Sequence, residues 1–236
     1  MSVMAGFEED FQAWRKSRAD LLVDDFGELC RYREVNAALK PAGPGENRVV
    51  FFGDSITEGW NLEEHFPGKS YINRGICAQT TPQMLVRFRP DVIALGARVA
   101  VILAGTNDIG GNTGPMSLEE IAANLASMAD IAKAHGVRAV YCSLLPPAHK
   151  ETPPSRFNLL KHPLDTVLGL NAWIEGYCAA GGLEFVDYFS AMSGPDGLVR
   201  PELSEDGLHP TALGYQIMAP LAEAAIGRAL AREPQA

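Results

Sequence analysis

No apolar run in this chain approaches the roughly 18–20 residues that a bilayer-spanning helix needs, so a membrane span has nothing to rest on. Basic clusters are missing too. The chain has 20 Lys and Arg against 29 Asp and Glu, a formal net charge of -9, whereas nucleic acid calls for a concentrated positive face. The four cysteines (Cys30, Cys77, Cys142, Cys178) are far apart and form no C-x-x-C pair, which excludes the usual zinc and dithiol patterns. Cys77 and Cys142 stand in apolar settings that read as buried free thiols. A secretory leader is not expected from the stretch given, because Glu8, Glu9 and Asp10 stand where a basic start and an apolar core would be needed. The chain as given reads as cytoplasmic; a secreted or periplasmic protein whose leader had been removed would read the same. No ligand cluster calls for a metal or an organic cofactor.

What is there is an ordinary globular composition, 47% hydrophobic and 21% charged over 236 residues, enough for one good-sized core. Residues 7–39 are helical in pattern: Phe7, Phe11, Trp14, Leu21, Leu22, Phe26 and Leu29 recur at helical spacings. Such a stripe packs on the chain's own sheet or forms the face of a homo-oligomer. Pro41–Asn47 has linker composition. Beyond it, apolar segments at 48–53, 70–73, 98–104, 137–144 and 183–187 alternate with helical patterns near 82–88, 117–135 and 164–180. Ser117 with Glu120 forms a capping box, and Gly136 stops that helix. A last helical stretch begins at Thr211 and is expected to break at Pro220. Short, nearly all-apolar strands alternating with helices imply an α/β fold, a parallel sheet covered on both faces. The expected organisation is one domain over 1–236, with 1–45 a helical extension packed on it.

In such sheets ligands bind beyond the carboxyl ends of the strands. Polar residues and glycines gather there. The first strand ends in Gly53-Asp54-Ser55, the second near Asn73 and Gly75, and the third in Gly105-Thr106-Asn107-Asp108. Near the C-terminus, Asp206 and His209 stand three apart before the last helix. Ser55 alone could be a cap or turn residue. A phosphate loop fails on spacing, since Trp60 stands where Lys and Ser/Thr are needed after Gly59. The G-x-S-x-G elbow fails too, because Asp54 precedes Ser55 and no glycine follows two positions on. These residue types suit acyl transfer. A serine needs a base to take its proton, an acid can hold the imidazole, and donors must meet the oxyanion. Among the histidines, His135 sits beside Gly136 at a helix end. His65, His149 and His162 have no acid at a matching spacing. Asp206 is preferred over Glu205 on spacing, and Asp54 and Asp108 read as structural acids that bond loop N–H groups.

Gly53-Asp54-Ser55-Ile56-Thr57, Gly75 in "NRGI", "GTND" at 105–108 and "DGLHP" at 206–210 resemble, in order, the four blocks of the SGNH (GDSL-type) hydrolases. The resemblance runs from about residue 48 to 218, and Ile56 replaces the leucine of the GDSL signature. It implies a flavodoxin-like three-layer α/β/α sandwich with about five parallel strands. It also implies a serine esterase for small or short-chain acyl esters, such as acetyl esters. Ser55 would be the nucleophile, His209 the base and Asp206 its orienter. Ser55 N–H, Gly75 N–H and the Asn107 amide would form the oxyanion hole. Cys77 and Ala78 follow Gly75 where many relatives carry small polar residues or glycine, and the Gly75 N–H is expected to stay available. The partner expected is a small-molecule ester. An acyltransferase or an O-acetyl carbohydrate esterase would use the same residues; a flavodoxin-like binding module would have no need of the Asp206–His209 pair. The loops Ile109–Pro115 and Leu144–Pro163 are the candidate rim and wall of the substrate site.

Overall fold

In the computed structural model, which describes residues 13, 16–148 and 163–232, each apolar segment becomes a strand. These are β1 (Val49–Gly53), β2 (Tyr71–Gly75), β3 (Val99–Leu103), β4 (Arg138–Cys142) and β5 (Glu184–Val186). All pairs are parallel, in the order β2-β1-β3-β4-β5. The helices are α1 (Ala19–Asp24), α2 (Arg33–Ala38), α3 (Ser55–Glu58), α4 (Leu62–His65) and α5 (Thr81–Phe88). Then follow α6 (Thr106–Ile109), α7 (Leu118–Ala134), α8 (Leu164–Gly181), α9 (Tyr188–Met192) and α10 (Ala212–Ala231).

The central strands are apolar on both faces because both faces are covered. Phe51, Val101 and Val140 point to a layer built on α10, where Met218, Ala222 and Ile226 meet them together with Trp60. Phe52, Ile102 and Tyr141 point the other way, onto Met84 and Phe88 of α5, Leu125 and Met128 of α7, and Ile174 of α8. Phe51 and Phe52 are each essentially fully buried, worth about 1.5–3 kcal/mol apiece relative to exposure. The three-layer α/β/α sandwich read from the sequence is the fold observed. Its strand order reverses between β1 and β3, which opens the crevice at their carboxyl ends.

Three expectations are corrected. Helical pattern over 7–39 is interrupted: between α1 and α2 the Asp25 carboxylate takes the N–H groups of Leu29 and Cys30, and Glu28 adopts a left-handed φ of 51°. An acid that bonds the backbone a few residues on competes with the helix. Phe26 and Leu29 are each 39% exposed instead of facing the sheet, and Phe7, Phe11 and Trp14 lie outside the described residues. Pro220 does not break α10, which runs through it to Ala231. The lost backbone bond is outweighed by burial of Ala219, Ala222, Ala225 and Ile226 on the sheet. Of the thiols expected to be buried, Cys142 is and Cys77 is exposed.

Candidate active site

Gly53 closes β1 where no side chain fits. A Cβ there would stand 2.1 Å from Thr57 Oγ1 and 2.7 Å from the Leu103 carbonyl. Asp54 then caps α3, its carboxylate accepting the Ile56 N–H at 2.9 Å. This puts Ser55 first in the helix, its own N–H making no hydrogen bond with any described residue. An Asp206–His209 loop approaches from the other end of the chain, just before α10. Asp206 Oδ1 accepts the N–H groups of Leu208 and His209 at 2.9 and 2.8 Å, which folds the loop on itself. Its Oδ2 lies 2.7 Å from His209 Nδ1, and His209 Nε2 lies 2.9 Å from Ser55 Oγ. With Nδ1–H donating to the carboxylate, Nε2 is left to accept from the serine hydroxyl.

Asn107 sits in α6 behind Gly105, whose φ of 121° turns the chain out of β3. Its buried amide donates to the Gln79 carbonyl at 3.0 Å and more loosely to Asp54 Oδ2 at 3.2 Å. The Asn107 carbonyl oxygen accepts from Asn112 Nδ2 at 2.9 Å, and the same Asn112 amide holds the Ala78 carbonyl at 3.0 Å. Ser55, Asn107, Asp206 and His209 are thus brought to one edge of the sheet.

Gly75 is placed differently from the expectation. Its N–H is already donated to Asn73 Oδ1 at 2.8 Å, and its carbonyl accepts from the Tyr32 hydroxyl. β2 extends through Gly75, in register with Gly53, so this residue belongs to the sheet instead of the loop beyond it. A Cβ on Gly75 would lie 2.1 Å from the Glu58 nitrogen, so the glycine is there for close packing of α3. The next backbone group free to act is that of Ala78, buried, at φ 66°, with an N–H that bonds no described residue. Sequence reasoning missed it because the usual marker of a left-handed residue is glycine. Asn112, Gln79 and Arg87 were missed as well, since these bonds reach partners 5, 52 and 34 positions away. Of the other histidines, His135 ends α7 as expected and lies beside Arg89, and His65 bonds the Asn61 carbonyl. His149 and His162 lie outside the described residues.

The model of the GDSL-like lipase/acylhydrolase family matches residues 51–217, most of the chain. The chain belongs to that family. As a GDSL acylhydrolase, of the SGNH hydrolase class, it is a carboxylic ester hydrolase. Among solved structures, a GDSL-like lipase from Bacteroides thetaiotaomicron VPI-5482 is 41% identical, with a TM-score of 0.80 over 87% of this chain and 100% of that one. Axe2, an acetylxylan esterase from Geobacillus stearothermophilus, shares the fold at 23% identity, with a TM-score of 0.63 over 80% of this chain and 97% of its own. A curated relative, the uncharacterized lipoprotein YqeF of Bacillus subtilis, is 27% identical over 123 residues. That match takes in 44% of this chain and about half (51%) of the relative.

The acids of this GDSL acylhydrolase separate by environment. Partial burial works against ionisation of Asp206, yet the hydrogen bonds from the His209 ring and from the His209 and Leu208 N–H groups hold its carboxyl well below the usual range. Asp54 and Asp108 go the other way. Burial pushes each from 3.8 up to about 6, against the hydrogen bonds from Ile56 and Thr81 respectively. Each bonds a backbone N–H in the first turn of a helix, Ile56 of α3 and Thr81 of α5, where loop N–H groups were expected.

A raised folded value has a definite sign. Well below 3.8 Asp108 is neutral in both states; as pH rises from there toward 6 the unfolded chain ionises first, so stability is lost over that window. Asp108→Asn carries no such loss. Its stability relative to the wild type is expected to improve between about pH 4.5 and 7.5 by on the order of 2 kcal/mol. Urea unfolding at the two pH values measures this, and an unchanged difference would place the ionisation elsewhere.

Proposed function

We propose that this acylhydrolase is a serine esterase for small or short-chain acyl esters, working through Ser55, His209 and Asp206 and an acyl-enzyme intermediate. One observation carries the reading: the continuous hydrogen-bond chain from Asp206 Oδ2 through His209 to Ser55 Oγ, at 2.7 and 2.9 Å. His209 Nε2 takes the Ser55 proton as Oγ attacks the ester carbonyl, and Asp206 steadies the imidazolium. The oxyanion is met by Ser55 N–H and the Asn107 amide, with Ala78 N–H in the place first assigned to Gly75. Of the two Asn107 N–H groups, the one at 3.2 Å from Asp54 is offered to the oxyanion while Gln79 keeps the other. The imidazolium then protonates the departing alcohol. The ring, now neutral, takes a proton from water as the water attacks the acyl-Ser55 carbonyl, and returns that proton to Ser55 Oγ as the carboxylic acid is released.

Short acyl groups are favoured by a small apolar pocket next to the site. Ile56, which follows Ser55, and Leu208, which precedes His209, line it together with Leu144, Leu145 and Val167. Acetylated carbohydrates are one alcohol class within this reading, as in the name of the acetylxylan esterase Axe2. Labelling with an organophosphonate, followed by peptide mapping, should mark Ser55, and p-nitrophenyl acetate and butyrate should outrun the dodecanoate. Modification elsewhere, or a preference for the long chain, would count against the proposal.

A further inference from the structure

We propose that residues 26–36 and the buried Arg87 together form a brace for the oxyanion side of the site, making Tyr32 and Arg87 positioning residues. This rests on the reading of Ala78 and Asn107 as oxyanion donors. The loop from Ile76 to Thr80 joins β2 to α5, and between its own backbone groups it has a single hydrogen bond, Gln79 N–H to Ile76 at 3.3 Å. Its shape must come from outside.

From within, Arg87 of α5 supplies it. This side chain has no exposed surface, and an ionised guanidinium is costly there unless its donors are matched. Four of the five are. Arg87 bonds the Gly53 carbonyl at 2.9 Å, the Arg74 carbonyl at 2.9 Å, the Asp91 carboxylate at 3.1 Å and the Gln79 side-chain oxygen. Its guanidinium lies over the Phe52 ring at 4.2 Å. One cation thus ties the residue before Asp54 and Ser55 to the end of β2 and to the far end of the loop.

From outside, the N-terminal segment grips the same loop. The Tyr32 hydroxyl donates to the Gly75 carbonyl, and Gln79 Nε2 donates to the Gly27 carbonyl at 3.1 Å. Arg31 pairs at 2.8 Å with Glu58, whose other oxygen takes the Cys77 N–H at 2.8 Å. Phe26 and Leu29 stay 39% exposed, so these directional bonds, more than apolar burial, describe how the segment is attached. The exposed Arg31–Glu58 pair adds little by itself. Gln79 completes the link, because its backbone carbonyl holds the Asn107 amide. A shift of the loop therefore reaches both proposed donors, although the segment precedes the family-matched residues 51–217.

The test uses the full chain carrying Tyr32→Phe, which deletes one hydroxyl, and Arg87→Lys, which keeps the charge but not the fork of donors. Expected is a fall in kcat of between about tenfold and about a hundredfold with KM nearly unchanged. The loss should be the same for acetyl and butyryl esters, since every acyl group shares the oxyanion, and organophosphonate labelling of Ser55 should slow in parallel. A purely structural role predicts a lower Tm with wild-type kcat per folded molecule. That result in both variants, beside an inactive Ser55→Ala control, overturns the brace alone. An active Ser55→Ala control overturns the nucleophile reading and the brace with it.

Discussion

Ser55→Ala is expected to lower ester hydrolysis by roughly 10⁴–10⁶-fold while leaving the fold intact. Removing Oγ takes away the atom that would form the acyl-enzyme, so His209 has nothing to activate but water. The structural cost is small. Ser55 Oγ bonds His209 Nε2, and the turn into α3 is held by Asp54, not by the serine hydroxyl. Circular dichroism and thermal unfolding should therefore match the wild type. Residual hydrolysis would reflect binding and the oxyanion donors alone. Turnover of p-nitrophenyl acetate near the wild-type rate, in protein free of contaminating esterase, would refute the nucleophile assignment.

Asn107→Ala comes next, with an expected loss of about 10²–10³ in kcat and little change in KM, because an oxyanion donor acts mainly on the transition state. This substitution also disturbs structure. It strips the Gln79 carbonyl and the Asn112 amide of partners in a buried setting, costing about 1–3 kcal/mol. A drop in Tm alone would not identify a donor, so Asn107→Asp is the companion. It keeps the shape but replaces the N–H groups with an acceptor, and its rate should fall at least as far. A loss under about tenfold in both variants would reduce Asn107 to a turn residue.

Much of the sheet was legible because its signals are local. Val49–Phe52 and Val99–Leu103 are unbroken, largely β-branched or aromatic apolar runs of the length that strands covered on both faces use. Ser117 and Glu120 cap α7 as read, for a capping box needs only four residues. The sequence pattern and the structure part where a contact overrides the pattern. Pro220 has the local signature of a break, and the burial of Ala219 and Ala222 on the sheet outweighs it. The stripe over 7–29 has helical spacing, and the Asp25 carboxylate interrupts it by bonding the Leu29 and Cys30 N–H groups.

The sequence by itself determined the alternation of strands and helices and the convergence of Ser55, Asn107, Asp206 and His209 on one sheet edge. Each sits where a strand ends or a helix begins, and local chain chemistry specifies those places. Tertiary structure alone decided which backbone groups stay free. Gly75 and Ala78 are three residues apart, and nothing in their identities says that Asn73 and Tyr32 claim the first while the second keeps its N–H. A hydrogen bond is a property of two partners. Those that hold this loop come from Tyr32, Arg87 and Asn112, brought together only when the chain folds.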